Sequence, residues 1–267
     1  MNSDIKEILN KKNYNFNDLV TIVAILRGEG GCPWDIEQTH KSIRDDLIEE
    51  TYEVIEAIDN DDPELLREEL GDILLQIVFH SGIEADAERF TINEVCDEIC
   101  KKMIIRHPHV FGDTVAKTSS EVLINWESIK SNEKQRITVT DKLNAIPKQL
   151  PALMRATKVG KKASFFDFPD KDSVVVKIYE ELDELKTAIS KNDTDNIHEE
   201  IGDLLLTITS LCRKLDVNAE RALSDATDKF IKRFEKVEDC CIANDKDIKF
   251  METTELDAIW EQIKHKI

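Results

Sequence analysis

Two pairs of acidic residues have the types and spacing that chemistry at a metal ion requires. Glu50 and Glu53 are three positions apart, as are Glu69 and Asp72. Residues three apart lie on one face of an α-helix, so each pair would present two carboxylates together. The midpoints of the pairs, 51.5 and 70.5, are equally far from the centre of segment 60–62. An antiparallel helical hairpin that turns there would bring all four carboxylates to the same height.

The same pattern occurs again 131 residues later. Segment 49–75 aligns without a gap on segment 180–206, and 12 of the 27 positions are identical. The carboxylates of the second copy are Glu181, Glu184, Glu200 and Asp203. Three more landmarks recur in the same order, namely Trp34-Asp35 with Phe166-Asp167, Lys102 and Arg106 with Lys229 and Arg233, and Trp126–Lys130 with Trp260–Lys264. This order indicates two copies of one domain.

Four converging carboxylates repel one another unless cations neutralise them. Solvent-facing helix charge would explain any single glutamate, but it explains poorly why both pairs recur with the same separation. Each third-residue partner is Glu or Asp, whereas di-iron and di-manganese bundles use Glu-x-x-His. Oxygen-only ligands favour Mg²⁺, with Mn²⁺ as a substitute, and Mg²⁺ is commonly shared with substrate phosphates. The pattern therefore predicts two metal sites suited to phosphate chemistry.

Helical periodicity places these residues on a run of amphipathic helices in each copy. The first copy is predicted to contain helices over 18–27, 40–59 and 63–86, with two more starting at capping boxes Thr91-x-x-Glu94 and Thr118-x-x-Glu121. The second is predicted to contain helices over 150–162, 173–189, 194–215, 218–241 and 254–263. The fold class is all-α, a tandem duplication of helical bundles. Predicted domains are 1–134 and 151–267, joined by a linker over 135–150, and the RHPHVF segment at 106–111 is interpreted as a loop.

Composition excludes several classes of protein. The formal net charge is -19, which disfavours direct nucleic-acid binding, because phosphate contacts need clustered Lys and Arg. No apolar run approaches the roughly 18 residues of a membrane span. The six cysteines form no CxxC pair, which favours a reduced cytoplasmic protein over a disulfide or zinc scaffold.

GCPWD at 31–35, the paired EExxE and EExGD motifs, RHPHVFGD at 106–113 and the closing WExIK resemble the bacterial MazG family. The likeness extends from about residue 19 to residue 263 and covers both copies. It implies Mg²⁺-dependent hydrolysis of ribo- and deoxynucleoside triphosphates, over a broad range of bases, to monophosphate and pyrophosphate. It also implies a homodimer and a role in controlling nucleotide pools.

The resemblance gives roles to the repeated residues. Glu181, Glu184, Glu200 and Asp203 are the expected metal ligands of the second copy, and Glu50, Glu53, Glu69 and Asp72 those of the first. Expected catalytic residues are Glu181 and, as groups that orient or deprotonate water, Glu180 and Glu49. Expected substrate-binding residues are Lys177, Lys229, Arg233, Trp260, Lys102 and Arg106. The resemblance favours the second copy as the better-formed catalytic unit, but the first keeps all four ligands.

Two other functions remain open at this point. One is a more selective enzyme of the same superfamily that acts on dUTP or dCTP. The other is a regulatory protein that binds nucleotide and metal without turnover. A redox di-metal bundle is disfavoured because none of the repeated acidic pairs has His as its i+3 partner.

Overall fold

The computed structural model describes residues 3–133, 138–244 and 246–264. These residues form helices joined by turns and irregular segments and contain no strand, which confirms the predicted all-α fold. The helices up to residue 133 are α1 (Ser3–Asn10), α2 (Phe16–Arg27), α3 (Pro33–Glu37), α4 (Arg44–Asp59), α5 (Pro63–Asp86), α6 (Ile92–Arg106), α7 (Pro108–Phe111) and α8 (Ser119–Glu133). Those that follow are α9 (Val139–Asn144), α10 (Ala152–Lys162), α11 (Lys171–Lys191), α12 (Thr194–Lys214), α13 (Ala219–Ala243), a 3-10 turn (Ile248–Phe250) and α14 (Thr253–Lys264).

The chain divides into two compact units, Met1–Lys130 and Ser131–Ile267, which we call the first and second lobes. Part of the predicted linker, residues 135–137, lies outside the described residues. Further along that stretch α9 forms a short helix that packs against α10. The boundaries 1–134, 135–150 and 151–267 stay a prediction.

In the first lobe, α4 and α5 pack closely along their length as the predicted helical hairpin. The turn between them uses Asp61 in a left-handed conformation, with a φ of 53°. The Asp62 carboxylate caps α5 by accepting hydrogen bonds from the backbone amides of Glu64 and Leu65. Ala57 is 1% exposed, so a small side chain lies where the helices meet. The hairpin is therefore set by local residues.

The second lobe repeats this hairpin with α11 and α12. Asn192 ends α11 in the left-handed region, with a φ of 52°, and Asp193 caps α12 by accepting from the backbone amide of Asn196. Ala188, the counterpart of Ala57, is 0% exposed. The repeated turn chemistry gives both hairpins the same register of facing residues.

Each lobe has a small apolar core away from the turn of its hairpin. In the first lobe, α2, α5, α6 and the residue before α4 bury a cluster made of Val23, Ile43, Val78, Phe79 and Ile92. In the second lobe, α13 and α14 bury a cluster made of Val237, Cys241 and Ile263. These cores hold the supporting helices, while the hairpins carry the acidic residues.

Two local predictions were wrong, and a third was right only in part. The helix predicted over 40–59 begins at Arg44, because Thr39 and Ser42 form a turn in which the Thr39 amide donates to the Ser42 hydroxyl at 2.9 Å. The RHPHVF segment, predicted as a loop, contains α7, which starts with Pro108 at its first helical position. The first predicted capping box is present, and in it the Thr91 amide donates to Glu94 at 2.7 Å. The second is formed in part: the Glu121 amide donates to the Thr118 hydroxyl at 3.2 Å, but the Glu121 carboxylate accepts from the Lys117 amide instead of the Thr118 amide.

Among the residues that the structure describes, no helix is both long enough and apolar enough to span a bilayer.

Candidate metal and nucleotide site

The first-lobe hairpin gathers acidic side chains from both of its helices. Carboxylate oxygens of Glu50 on α4 and of Glu69 and Asp72 on α5 all lie within 4.8 Å of one another. Glu53 lies beside them, within hydrogen-bonding reach of Glu50 and Glu69. Glu69 is only 8% exposed. We call these four residues the first-lobe cluster.

The electrostatics of this cluster are unfavourable for an ion-free carboxylate. Burial, then the charges of Asp72 and Glu53, raise the pKa of Glu50 to about 7. Burial, then Glu53 and Asp72, also raise the pKa of Glu69. Within the described part of the chain, no Lys or Arg forms an ion pair with any member of the cluster. A bound cation would offset both the cost of burying these charges and the repulsion between the carboxylates.

The second-lobe hairpin forms a corresponding cluster. Oxygens of Glu181 and Glu184 on α11 and of Glu200 on α12 lie within 4.8 Å of one another. Glu181 is 4% exposed. Burial, then the charges of Glu184, Glu181 and Asp203, raise the pKa of Glu200. We call these three residues together with Asp203 the second-lobe cluster.

The second-lobe cluster differs from the first by an internal cation. The Lys177 ammonium donates to Glu180 Oε1 at 2.7 Å and lies 2.9 Å from Glu181 Oε1. Hydrogen bonds to Glu180 and then Glu181 raise the pKa of Lys177 well above its ordinary value. Glu180 itself is exposed, as is Glu49, its counterpart in the first lobe.

In each lobe, three of the four predicted ligands thus have carboxylate oxygens within 4.8 Å of one another. The fourth, Glu53 in the first lobe and Asp203 in the second, lies beside this group. All the ligand atoms are carboxylate oxygens, and the helix pairs hold them at a common height. A hard divalent cation such as Mg²⁺ fits this donor set. The residues present therefore suit the metal that the sequence predicts.

The predicted substrate-binding groups of the first lobe have partners of their own. Lys102 forms an ion pair with Glu98 at 3.4 Å on the surface of α6. The Arg106 guanidinium lies over the Trp126 ring, 5.5 Å from its centroid, and Arg106 is buried. The stacked pair anchors the end of α6 to α8.

In the second lobe, the predicted substrate-binding groups lie on α13 and α14. Lys229 lines a shallow surface depression with Lys232, Asp225 and Asp228. The Arg233 Nε is buried and has no hydrogen-bond partner among the described residues. Lys229 and Arg233 form no ion pair with the second-lobe cluster in that part of the chain.

Trp260 packs in the core of α13 and α14. Its ring lies 5.2 Å from the Phe230 ring, centroid to centroid, and contacts the cluster around Val237 and Cys241. Its role in holding α14 to α13 is clear from this packing, and its predicted role in binding a base stays a prediction.

The structure also reveals a polar network that the sequence did not predict. His40 Nδ1 lies 2.7 Å from His80 Nδ1, and its Nε2 contacts the Glu84 carboxylate at 2.5 Å. Arg89 holds the same carboxylate. Hydrogen bonds from Arg89 and then His40 lower the pKa of Glu84 to about 2. The i,i+4 spacing of His80 and Glu84 on α5 was a visible signal, but the distant His40 was not.

Comparison with known proteins matches each of the two copies to the same family. The model of the MazG nucleotide pyrophosphohydrolase domain matches residues 38–111 and again 170–238. The chain is 42% identical over 253 residues to the nucleoside triphosphate pyrophosphohydrolase of Escherichia coli (strain K12), covering 93% of this chain and 96% of that protein. It is 42% identical over 251 residues to the nucleoside triphosphate pyrophosphohydrolase/pyrophosphatase MazG of Thermotoga maritima, covering 93% and 95%. Both matched segments contain a complete acidic hairpin, and the chain belongs to the MazG nucleotide pyrophosphohydrolase family.

Proposed function

We propose that this protein hydrolyses nucleoside triphosphates to nucleoside monophosphate and pyrophosphate with Mg²⁺, for which Mn²⁺ can substitute. The observation that carries the proposal is the pair of acidic hairpins, each with three carboxylates within 4.8 Å of one another. The names of the relatives from Escherichia coli and Thermotoga maritima point to the same reaction.

The metal-holding residues would be the two clusters. Glu50, Glu53, Glu69 and Asp72 serve the first lobe, and Glu181, Glu184, Glu200 and Asp203 the second. When bound, divalent ions neutralise triphosphate charge and lower the pKa of coordinated water. Burial and neighbouring carboxylates raise the pKa values of Glu50, Glu69 and Glu200, and a bound cation would offset both effects, which supports this role.

The chain's own residues then position and activate the reacting groups. In the second lobe the exposed Glu180 accepts a proton from water, which attacks one of the two phosphorus atoms flanking the α,β bridge oxygen. The bond between that phosphorus and the bridge oxygen breaks, which releases nucleoside monophosphate and pyrophosphate. Glu49 has the same position in the first lobe. Lys177, which contacts Glu180 and Glu181 in the absence of nucleotide, binds a phosphate oxygen of the substrate.

Other groups bind the rest of the nucleotide. Lys229 and Arg233 provide positive charge on one face of α13, and the unpartnered Arg233 Nε supports a role in anion binding. Lys102 and Arg106 are their counterparts in the first lobe, and Trp260 contacts the base. Because Arg106 already stacks on Trp126, the second lobe is the better candidate for nucleotide binding.

We propose a broad range of bases with either sugar, and a role in controlling nucleotide pools. A dUTP- or dCTP-selective enzyme would process only one nucleotide of a complete panel. A regulatory protein would bind nucleotide with no release of pyrophosphate. Nothing in the described carboxylate sites distinguishes one base from another, so the substrate panel decides between these functions.

We further propose that the protein is a cytoplasmic homodimer. The hairpins expose large apolar side chains, including Tyr52 at 51%, Leu70 at 50% and Tyr179 at 66%. Such faces are commonly covered in oligomers. The described cysteines are free thiols, as is usual in a reducing compartment. Sedimentation of the purified protein would measure the oligomeric state.

The proposal is tested lobe by lobe with Glu69→Gln and Glu200→Gln. Each change removes one charge from a cluster while keeping the size of the side chain. We expect each variant to lose turnover in its own lobe and to keep its helical circular dichroism, and we expect the double variant to release no pyrophosphate. Wild-type turnover by the folded double variant would refute the metal-site assignment.

A further inference from the structure

The two acidic clusters carry different charge at one equivalent position. Lys177 precedes Glu181 by four residues on α11, and Asp46 precedes Glu50 by four residues on α4. Both positions lie inside continuous helices, so Lys177 lies one turn before Glu181 and Asp46 one turn before Glu50. The duplication therefore has a cation in the second lobe where the first has an anion.

In the second lobe the Lys177 ammonium contacts a carboxylate of the second-lobe cluster. The Lys177 ammonium is 2.9 Å from Glu181 Oε1 and 2.7 Å from Glu180 Oε1, and its side chain is one-third exposed. A divalent ion that approaches Glu181 must compete with the ammonium for the same carboxylate, and the two cations repel each other. The first-lobe cluster has no such competitor among the described residues, and the partly buried Asp46 adds negative charge.

We infer that Lys177 is an internal counter-cation that keeps the second-lobe cluster a weak divalent-metal site until a triphosphate is present, whereas the first-lobe cluster binds its metal ion tightly without nucleotide. The inference rests on the proposed function only in that it places divalent ions at both clusters. An arriving triphosphate offers Lys177 another anionic partner, so Glu181 becomes free to bind metal. In this way metal loading of the second lobe is coupled to substrate binding, and the first lobe holds a resident ion.

The size of the effect follows from simple electrostatics. A unit charge about 6 Å from a divalent ion in water-like surroundings changes its affinity about tenfold. Removing the ammonium should therefore tighten the second-lobe site about tenfold. Placing a lysine at residue 46 should weaken the first-lobe site by at least the same factor, because an anion is lost and a cation gained.

The experiment is a Mn²⁺ titration of the full-length protein without nucleotide, in which electron paramagnetic resonance measures free Mn²⁺. We expect a tight class of sites that Glu69→Gln removes and a weak class that Glu200→Gln removes. Lys177→Met should tighten the weak class about tenfold, and Asp46→Lys should weaken the tight class. Lys186→Met is the matched control, because it removes the same charge from α11 at a position where, among the described residues, the ion-pair partner is the exposed Asp183. We expect this control to change affinity less than twofold.

Equal affinities of the two classes in the wild type would overturn the inference, as would a Lys177→Met effect no larger than that of Lys186→Met. Circular dichroism of each variant establishes that the helices are folded, and Asp46→Asn provides a milder change of the same sign as Asp46→Lys. Equal affinities with intact pyrophosphate release would refute only the role of Lys177. The expected affinities without pyrophosphate release would refute only the proposed reaction.

Discussion

Replacing Glu50 with glutamine should stabilise the metal-free protein near neutral pH. The folded-state pKa of Glu50 is about 7, against an ordinary value of 4.5. As pH rises from about 4.5 to about 7, the unfolded chain releases this proton while the folded chain retains it, so the free energy of unfolding falls. At about 1.36 kcal/mol per pKa unit the ceiling is about 3.4 kcal/mol. The side chain is partly exposed, so we expect about 1–2 kcal/mol after solvent screening.

The assay is thermal unfolding in EDTA, followed by circular dichroism, at several pH values between 5 and 8. Glu50→Gln should match the wild type near pH 5 and unfold roughly 5 °C higher at pH 8. The adjacent Glu49→Gln, at an exposed position, serves as the control and should change stability by less than about 0.5 kcal/mol. A Glu50→Gln variant that is no more stable than wild type at pH 8 would refute the claim that burial and repulsion destabilise the ionised carboxylate of Glu50.

Three further predictions concern the framework of the site. The pKa of Glu84 is about 2, so the stability that its ionised carboxylate contributes is present above pH 4.5 and is lost as pH falls towards 2. In an acid titration, Glu84→Gln should therefore lose less stability than the wild type. Identical acid-unfolding profiles would contradict this. The Arg27 side chain is 7% exposed and pairs with Asp86 at 2.7 Å. Arg27→Met should therefore lower the free energy of unfolding in urea by about 1.5–3 kcal/mol. A loss below about 0.5 kcal/mol would argue against that ion pair. Asn192 has a φ of 52°. In the same assay, Asn192→Val should lower the free energy of unfolding by about 1–2 kcal/mol, whereas Asn192→Gly should change it little. Equal losses in the two variants would refute the left-handed turn.

The hairpins could be predicted from sequence because their information is local. The turns at 60–62 and 192–193 have residues that cap helices, and helical spacing then fixes which carboxylates face one another. The convergence of Glu50 with Glu69 follows from these two facts alone. The exact start of α4 did not follow, since the Thr39–Ser42 turn competes with helix through side-chain hydrogen bonds.

Contacts between segments that are distant in sequence could not be predicted from helical periodicity. The pairing of His40 with His80 joins residues 40 positions apart, and no spacing rule relates them. The stacking of Arg106 on Trp126 likewise depends on how α6 meets α8. Sequence recurrence identified both residues as a repeated pair with Arg233 and Trp260, but only the structure shows that the first-lobe members contact each other.

The most direct test of the central claim is to identify the products made from each of the eight common ribo- and deoxynucleoside triphosphates. The purified protein would be incubated with each nucleotide and Mg²⁺, and the products separated by chromatography. We predict nucleoside monophosphate and pyrophosphate from several bases, with loss of both products on addition of EDTA. Nucleoside diphosphate and orthophosphate, or binding without any product, would contradict the proposed reaction.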